Sequence, residues 1–214
     1  MQTKHSTFTL ASHLLHRIDF QPETFSDGDL LWLPHHGELQ HTGKKRRTEH
    51  LAGRIAAIHA LLPWGEKTVP GIGEMRQPLW PEGLFGSISH CEKSAIAVVS
   101  SEPVGADIEK IFSPQLAAEV ATQIASPAEI FRLQTSGLPF AIALTLAFSA
   151  KESVFKAFSF QASPCPGFTA AEVISINEDG LCLQLKEAFS LSLAEEKITV
   201  AYRVEGDKLV TCTG

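Results

Sequence analysis

The clearest hydrophobic pattern in the chain is helical. Leu51, Ile55, Ile58 and Leu62 recur at three- and four-residue spacing, so one apolar stripe runs through residues 48–62. Pro63 cannot continue a helix and stops it. A longer helix is predicted over about residues 140–158, where apolar side chains surround the few charges. Between the two helices the period falls to two. Residues 86–90, 95–99 and 104–109 read as strands, parted by turns at 91–93 and 102–103. Ser126, Pro127 and Glu129 form a capping box with proline at the first helical position, which starts another helix. Residues 167–176 and 181–185 read as strands about a turn at 177–180, and residues 198–204 as a last strand. Residues 69–86 are rich in Pro and Gly and read as loop with short extended pieces. The order helices, hairpin, helices, hairpin predicts an α+β fold of two lobes of similar build.

Composition narrows the function classes. The chain has 214 residues, enough for one large domain or two small lobes. Its formal net charge of −6 argues against a broad basic surface for nucleic acid, so any phosphate site must be local. Cys91, Cys165, Cys182 and Cys212 show no metal-binding spacing and no disulfide framework, which fits a reducing cytoplasm. Residues 1–15 do not read as a signal peptide. The apolar run at 138–148 is short of the roughly 20 residues a bilayer span requires.

The candidate chemistry lies in three places. Asp107 and Glu109 are two apart on a predicted strand, so both carboxylates point to one face. Adjacent anions repel unless a cation sits between them, which suggests a hard-metal site; a solvated strand end is the alternative. Lys151, Glu152 and Lys156 sit on the second long helix among apolar neighbours, where charges need partners. Glu152 is a third candidate carboxylate for a metal such as Mg²⁺, which binds few carboxylates together with water and phosphate oxygens. Arg46, Arg47 and Arg54 share a face of the first helix, and with Lys44, Lys45, Arg76 and His90 they could meet a phosphate. Ser153 and Lys156 match a nucleophilic-serine spacing without its companion motifs, Gly71 and Gly73 form only a fragment of a dinucleotide fingerprint, and no P-loop occurs.

Two of these segments together resemble a known family. The run Val104, Gly105, Ala106, Asp107, Ile108, Glu109 and the run from Phe148 through Ser149, Lys151, Glu152 and Ser153 to Lys156 resemble the paired signatures of surfactin-type 4′-phosphopantetheinyl transferases. The two in this order are specific, and residues 45–54 and 86–90 fit the same context. Ala106 stands where the family usually has a branched residue, and Phe148 where tryptophan is frequent.

The resemblance implies a pseudo-twofold pair of similar lobes, residues 1–104 and 105–214. Each would be a small antiparallel sheet packed with helices, with coenzyme A and Mg²⁺ at their interface. It implies Asp107, Glu109 and Glu152 as metal ligands and Lys151 and Lys156 on the pyrophosphate. Ser89 and His90 would meet the 3′-phosphate, with Arg46, Arg54 and, less firmly anchored in the pattern, Arg76 on the nucleotide side. Arg47 could exchange roles with Arg46. The implied reaction is attack by a carrier serine on the β-phosphorus of coenzyme A, releasing 3′,5′-ADP. Lys156 would stabilise the developing charge, and Glu152 or a water on the metal would take the proton. The implied partners are aryl and peptidyl carrier domains of a siderophore synthetase, met by a monomeric cytoplasmic enzyme that could associate peripherally with the inner membrane. A Mg²⁺-dependent pyrophosphate or nucleotide hydrolase and a non-catalytic carrier-binding subunit are the rival classes.

Overall fold

A computed structural model describes residues 1–164, 166–178 and 180–214; Cys165 and Asp179 of the expected turn lie outside the described residues. The chain divides into two compact units, residues 1–9 with 13–103 and residues 10–12 with 104–214.

β1 (Gln2–Leu10), which lies in the first unit up to Thr9, and β2 (His13–Gln21) are joined at Ala11 and Ser12, both with positive φ, 51° and 63°. Two successive left-handed residues give a turn whose twist matches a hairpin. Then come α1 (Lys44–Leu61), two short strands, β3 (Gly71–Ile72) and β4 (Pro78–Leu79), and the hairpin of β5 (Phe85–Cys91) and β6 (Ser94–Ser100). The sheet order is β1-β2-β6-β5. Alanines 52, 56, 57 and 60 of α1 let the helix lie close on the sheet, against Ile18, Phe20, Ala95, Ala97 and Val99. The helix starts earlier than its apolar stripe and takes in the whole basic run 44–47.

The second unit holds β7 (Ala106–Lys110), α2 (Pro114–Ile124), α3 (Pro127–Gln134), α4 (Phe140–Phe158), β8 (Ala171–Ile176), β9 (Leu181–Leu185), β10 (Lys197–Glu205) and β11 (Lys208–Thr213). Its sheet runs β7-β11-β10-β9-β8, antiparallel throughout. Leu144, Leu146, Ala147, Ala150 and Val154 of α4 pack on Val173, Leu181, Leu183, Val200 and Leu209. The fold is therefore α+β, with an antiparallel sheet and one long helix central to each unit. The strand read at 104–109 is β7, and it pairs with β11 of the second unit, Asp107 opposite Thr211 and Glu109 opposite Leu209. Gly105, just before β7, permits this placement, because a Cβ there would lie 1.8 Å from the Ser153 carbonyl oxygen of α4.

Candidate active site

The strand–helix contact between β7 and α4 assembles a charged cluster. Asp107 is only 2% exposed, between the fully buried Ala106 and Ile108 of β7. Burying a carboxylate requires full pairing, and Asp107 has it. Lys156 Nζ donates to Oδ1 at 2.6 Å and Ser149 Oγ donates to Oδ2 at 2.8 Å. Ser149 and Ser153 each share a hydrogen bond with Thr211 Oγ1, at 2.8 and 2.7 Å, so a hydroxyl network from α4 and β11 supports the acid. Ser149, Glu152, Ser153 and Lys156 are spaced by three and four residues and lie along one stripe of α4. Ser153 is thus a buried network member and does not sit as a nucleophile.

Glu109 and Glu152 are the strained members of the cluster. Burial and the charges of Asp107 and Glu152, against the pull of Lys156, push Glu109 up to about 7. Burial also raises Glu152; the Lys156 ammonium opposes this and Asp107 reinforces it. Three carboxylates and one ammonium therefore act on one another, as the period-two strand and the helix stripe predict. Among the described residues no group of three or more His, Cys, Asp and Glu side chains is disposed to hold a metal ion as it stands. The cation that Asp107 holds is Lys156.

Lys151 is placed differently from its expected role. Its ammonium is buried and donates to the Ile124 carbonyl at 2.8 Å and to Glu129 Oε1 at 2.7 Å. Glu129, fully buried, also accepts from the Ser126 backbone N–H at 2.8 Å and the Val173 N–H at 2.9 Å. Burial alone would raise Glu129, but its bonds to Lys151 and the two amides hold its carboxyl below the usual range. Burial draws the Lys151 ammonium down, against the attraction of Glu129. The capping-box carboxylate of α3 thus ties α3, α4 and β8 together through Lys151. Next to Glu152 and Lys151 opens a cavity of about 270 Å³, lined largely by Phe155, Pro166, Phe168 and Phe189.

The first unit carries the basic residues. The first turn of α1 is Lys44, Lys45, Arg46 and Arg47, with no acid. Cations there oppose the positive end of the helix dipole, an arrangement that suits a bound anion. Arg46 is exposed and within electrostatic reach of Arg54 and His50. Arg47 is instead bound to Asp27 at 2.5 Å and lies 5.8 Å over the Phe25 ring. Arg54, 5% exposed, donates to the Pro70 and Gly71 carbonyls at 2.8 and 3.0 Å, so it anchors the segment at β3. Burial, with Arg46 adding, draws its guanidinium down to about 10. His90 Nδ1 stands 3.8 Å from Glu49 Oε1 of α1. Strand alternation turns the buried Ser89 side chain to the opposite face of β5, away from His90. Arg76 is exposed, at φ 64° in the turn between β3 and β4.

The structure therefore unites Asp107, Glu109, Glu152 and Lys156 in one cluster, and Arg46, Arg54 and His90 in another. Lys151 is engaged with Glu129, Ser89 is buried on the other face of β5 from His90, and Arg76 is exposed in the turn between β3 and β4. Sequence reasoning missed Glu129, Ser149, Thr211 and Glu49. Glu129 and Glu49 carried a faint signal: one is the capping-box acid, the other an acid two residues past a basic run.

Comparison with known proteins bears on both units. A family model described as the 4′-phosphopantetheinyl transferase N-terminal domain matches residues 35–100, and one described as the 4′-phosphopantetheinyl transferase superfamily matches residues 103–212. Enterobactin synthase component D of Salmonella typhi is 51% identical over 211 residues, 99% of this chain and 90% of the relative. The protein of that name from Shigella flexneri is 51% identical over 202 residues, 94% of this chain and 97% of its own. 4′-Phosphopantetheinyl transferase Npt of Nocardia iowensis is 32% identical over 142 residues, 64% of this chain and 63% of the relative. Among solved structures, the holo-(acyl-carrier-protein) synthase of Neisseria meningitidis matches with TM-score 0.41 and 19% identity, covering 52% of this chain and 94% of that one.

Proposed function

The chain belongs to the 4′-phosphopantetheinyl transferase superfamily, and from that premise we infer that it moves the 4′-phosphopantetheine group of coenzyme A onto a serine of apo carrier-protein domains, releasing 3′,5′-ADP. Likeness over nearly the whole chain to enterobactin synthase component D supports carriers of enterobactin assembly as substrates. Aryl and peptidyl carrier domains of the siderophore synthetase are the finer assignment. A monomer is proposed because the carboxylates, the ammonium and the basic cluster all come from one chain. A cytoplasmic enzyme with peripheral contact to the inner membrane is consistent with the absence, among the described residues, of a helix long and apolar enough to cross a bilayer.

The observation that carries the mechanism is the cluster of three carboxylates and Lys156. Its donor set is all oxygen and carries more negative charge than one ammonium neutralises, as the raised Glu109 shows. That chemistry fits Mg²⁺, which Asp107, Glu109 and Glu152 would hold with the substrate diphosphate completing its shell. Bound there, the ion would neutralise charge on the diphosphate. Lys156, ion-paired with Asp107, adds a second positive charge at the leaving oxygen. Glu152, which burial makes more basic than an ordinary carboxylate, is suited to accept the serine proton. The apolar cavity beside Glu152 is assigned to the pantetheine arm. Arg46 and His90 are assigned to the nucleotide phosphates, with Arg54 acting through the segment it anchors.

Intact-mass measurement of an apo carrier incubated with coenzyme A and Mg²⁺ tests the proposal. The wild-type protein should add one phosphopantetheine. Glu152→Gln should slow transfer by about a hundredfold or more, the usual weight of a general base. Transfer at the normal rate by the variant would remove Glu152 from both assigned roles. Release of 3′,5′-ADP without a carrier would mark a hydrolase instead.

A further inference from the structure

The carboxylate of Glu49 has no part in the mechanism so far, yet it is placed at some cost. Its side chain is 9% exposed, one turn before Ala52 and Gly53 of α1. A buried carboxylate is unfavourable unless a cation answers it. Lys45, one turn earlier at 3.9 Å, is 87% exposed and answers it weakly. Glu49 is the sixth residue of α1, beyond the turn where the helix dipole would favour an acid. The remaining partner is His90, at 3.8 Å from β5. Arg46, Arg54 and His35 surround the neighbouring His50, which His90 also reaches.

We propose that Glu49 is a positioning residue for coenzyme recognition: it holds the His90 ring by its Nδ1 side so that the imidazole meets the 3′-phosphate as a charged donor. The proposal rests on the reading that His90 contacts that phosphate. A carboxylate at Nδ1 keeps a proton on that nitrogen and favours the doubly protonated ring. An imidazolium offers a charge-assisted N–H to a phosphate oxygen, where a neutral ring offers at most a weaker bond. Arg46 and Arg54, which act on the neighbouring His50, disfavour further positive charge in this cluster, and Glu49, at ion-pair distance from Nδ1, favours it on His90.

The test compares coenzyme A with 3′-dephospho-coenzyme A as substrates of the full chain. In the wild type the KM for the dephospho form should exceed that for coenzyme A. Glu49→Gln should reduce that ratio about tenfold, through KM for coenzyme A rather than kcat, the weight of one charge-assisted hydrogen bond. Its KM for coenzyme A should also begin to rise at a lower pH than in the wild type, because the ring loses its second proton earlier. Glu49→Asp, which keeps the charge, should restore part of the ratio. An unchanged ratio in Glu49→Gln, or KM values that rise equally for both coenzymes, would overturn the proposal by showing a packing role only. His90→Gln separates the two layers. A lost ratio in His90→Gln with an intact one in Glu49→Gln sinks the inference alone. A ratio intact in His90→Gln sinks the phosphate assignment beneath it as well.

Discussion

Single residues set the acid–base behaviour of this protein, and two of them pull in opposite directions. Glu109 titrates at about 7 in the folded chain because burial and two neighbouring carboxylates penalise its charge. The unfolded chain gives up that proton above about 4.5, so this residue lowers stability as pH rises from about 4.5 through 7. A divalent cation removes the penalty. Thermal melting with and without Mg²⁺ should therefore show a larger stabilisation at pH 8 than at pH 5.5, and Glu109→Gln should flatten that difference. The buried histidines act on the other side of neutrality. Burial, with Arg54, His35, Arg46 and His90 adding, holds His50 down to about 3; burial, with His5 and His59, holds His16 down to about 4. Each binds its proton in the unfolded chain below about 6.5 but not in the folded one. Their stabilisation is complete above 6.5 and is lost as pH falls toward 4 and 3. His50→Gln, which can still bond to His35, should flatten the acid limb of a melting-temperature profile.

At the scale of elements, packing decides which charges are structural and which are available. Lys151 and Glu152 are neighbours in sequence on α4, but the helix turns them by a quarter of its circumference or more. Lys151 goes into the buried contact with α3, and Glu152 stays beside the cavity. Lys151→Ala should leave the Glu129 charge without its cation and cost about 3–5 kcal/mol in urea unfolding, whereas Lys151→Met with Glu129→Gln, which removes the charge and keeps an acceptor for the Ser126 and Val173 amides, should recover part of it. A stable Lys151→Ala protein with defective transfer would instead return Lys151 to the diphosphate. The elements that were legible follow the same logic. The limits of α4 match the reading because its apolar run is long and Pro139 precedes it. β5 and β6 announce themselves by β-branched residues and a tight turn, with Glu92 at φ 54°. The β1–β2 hairpin was not legible. β1 is exposed at most positions, so it carries no alternating pattern, and its turn places Ala11 and Ser12 in a conformation usually given to Gly or Asn. β11 was missed for the opposite reason: it is short and buried on both faces, so it lacks alternation too.

At the scale of the whole molecule, net charge and local charge disagree, and the two substrates should reveal it. The chain is acidic overall, yet α1 and Lys156 present local cations. Coenzyme A is a small polyanion; bound through local cations, as proposed, its KM should rise with added salt. An acidic carrier protein meets the field of the entire chain, so its KM should fall or stay level over the same range. Initial rates from about 20 to 300 mM salt would separate the two; parallel increases in both KM values would show that local basic residues also steer the carrier. The sequence alone determined the α+β class, the two long helices, and the pairing of Asp107 with Glu109 on one strand face, because these follow from periodicity and chain-local geometry. Its motifs also carried the family. Only the tertiary structure decided that β7 pairs with β11, that Lys151 is locked to Glu129 while Lys156 holds Asp107, that Arg47 turns to Asp27, and that Glu49 faces His90. Each of those is a choice among several chemically equivalent partners, and burial and distance across the fold, which no local pattern encodes, make it.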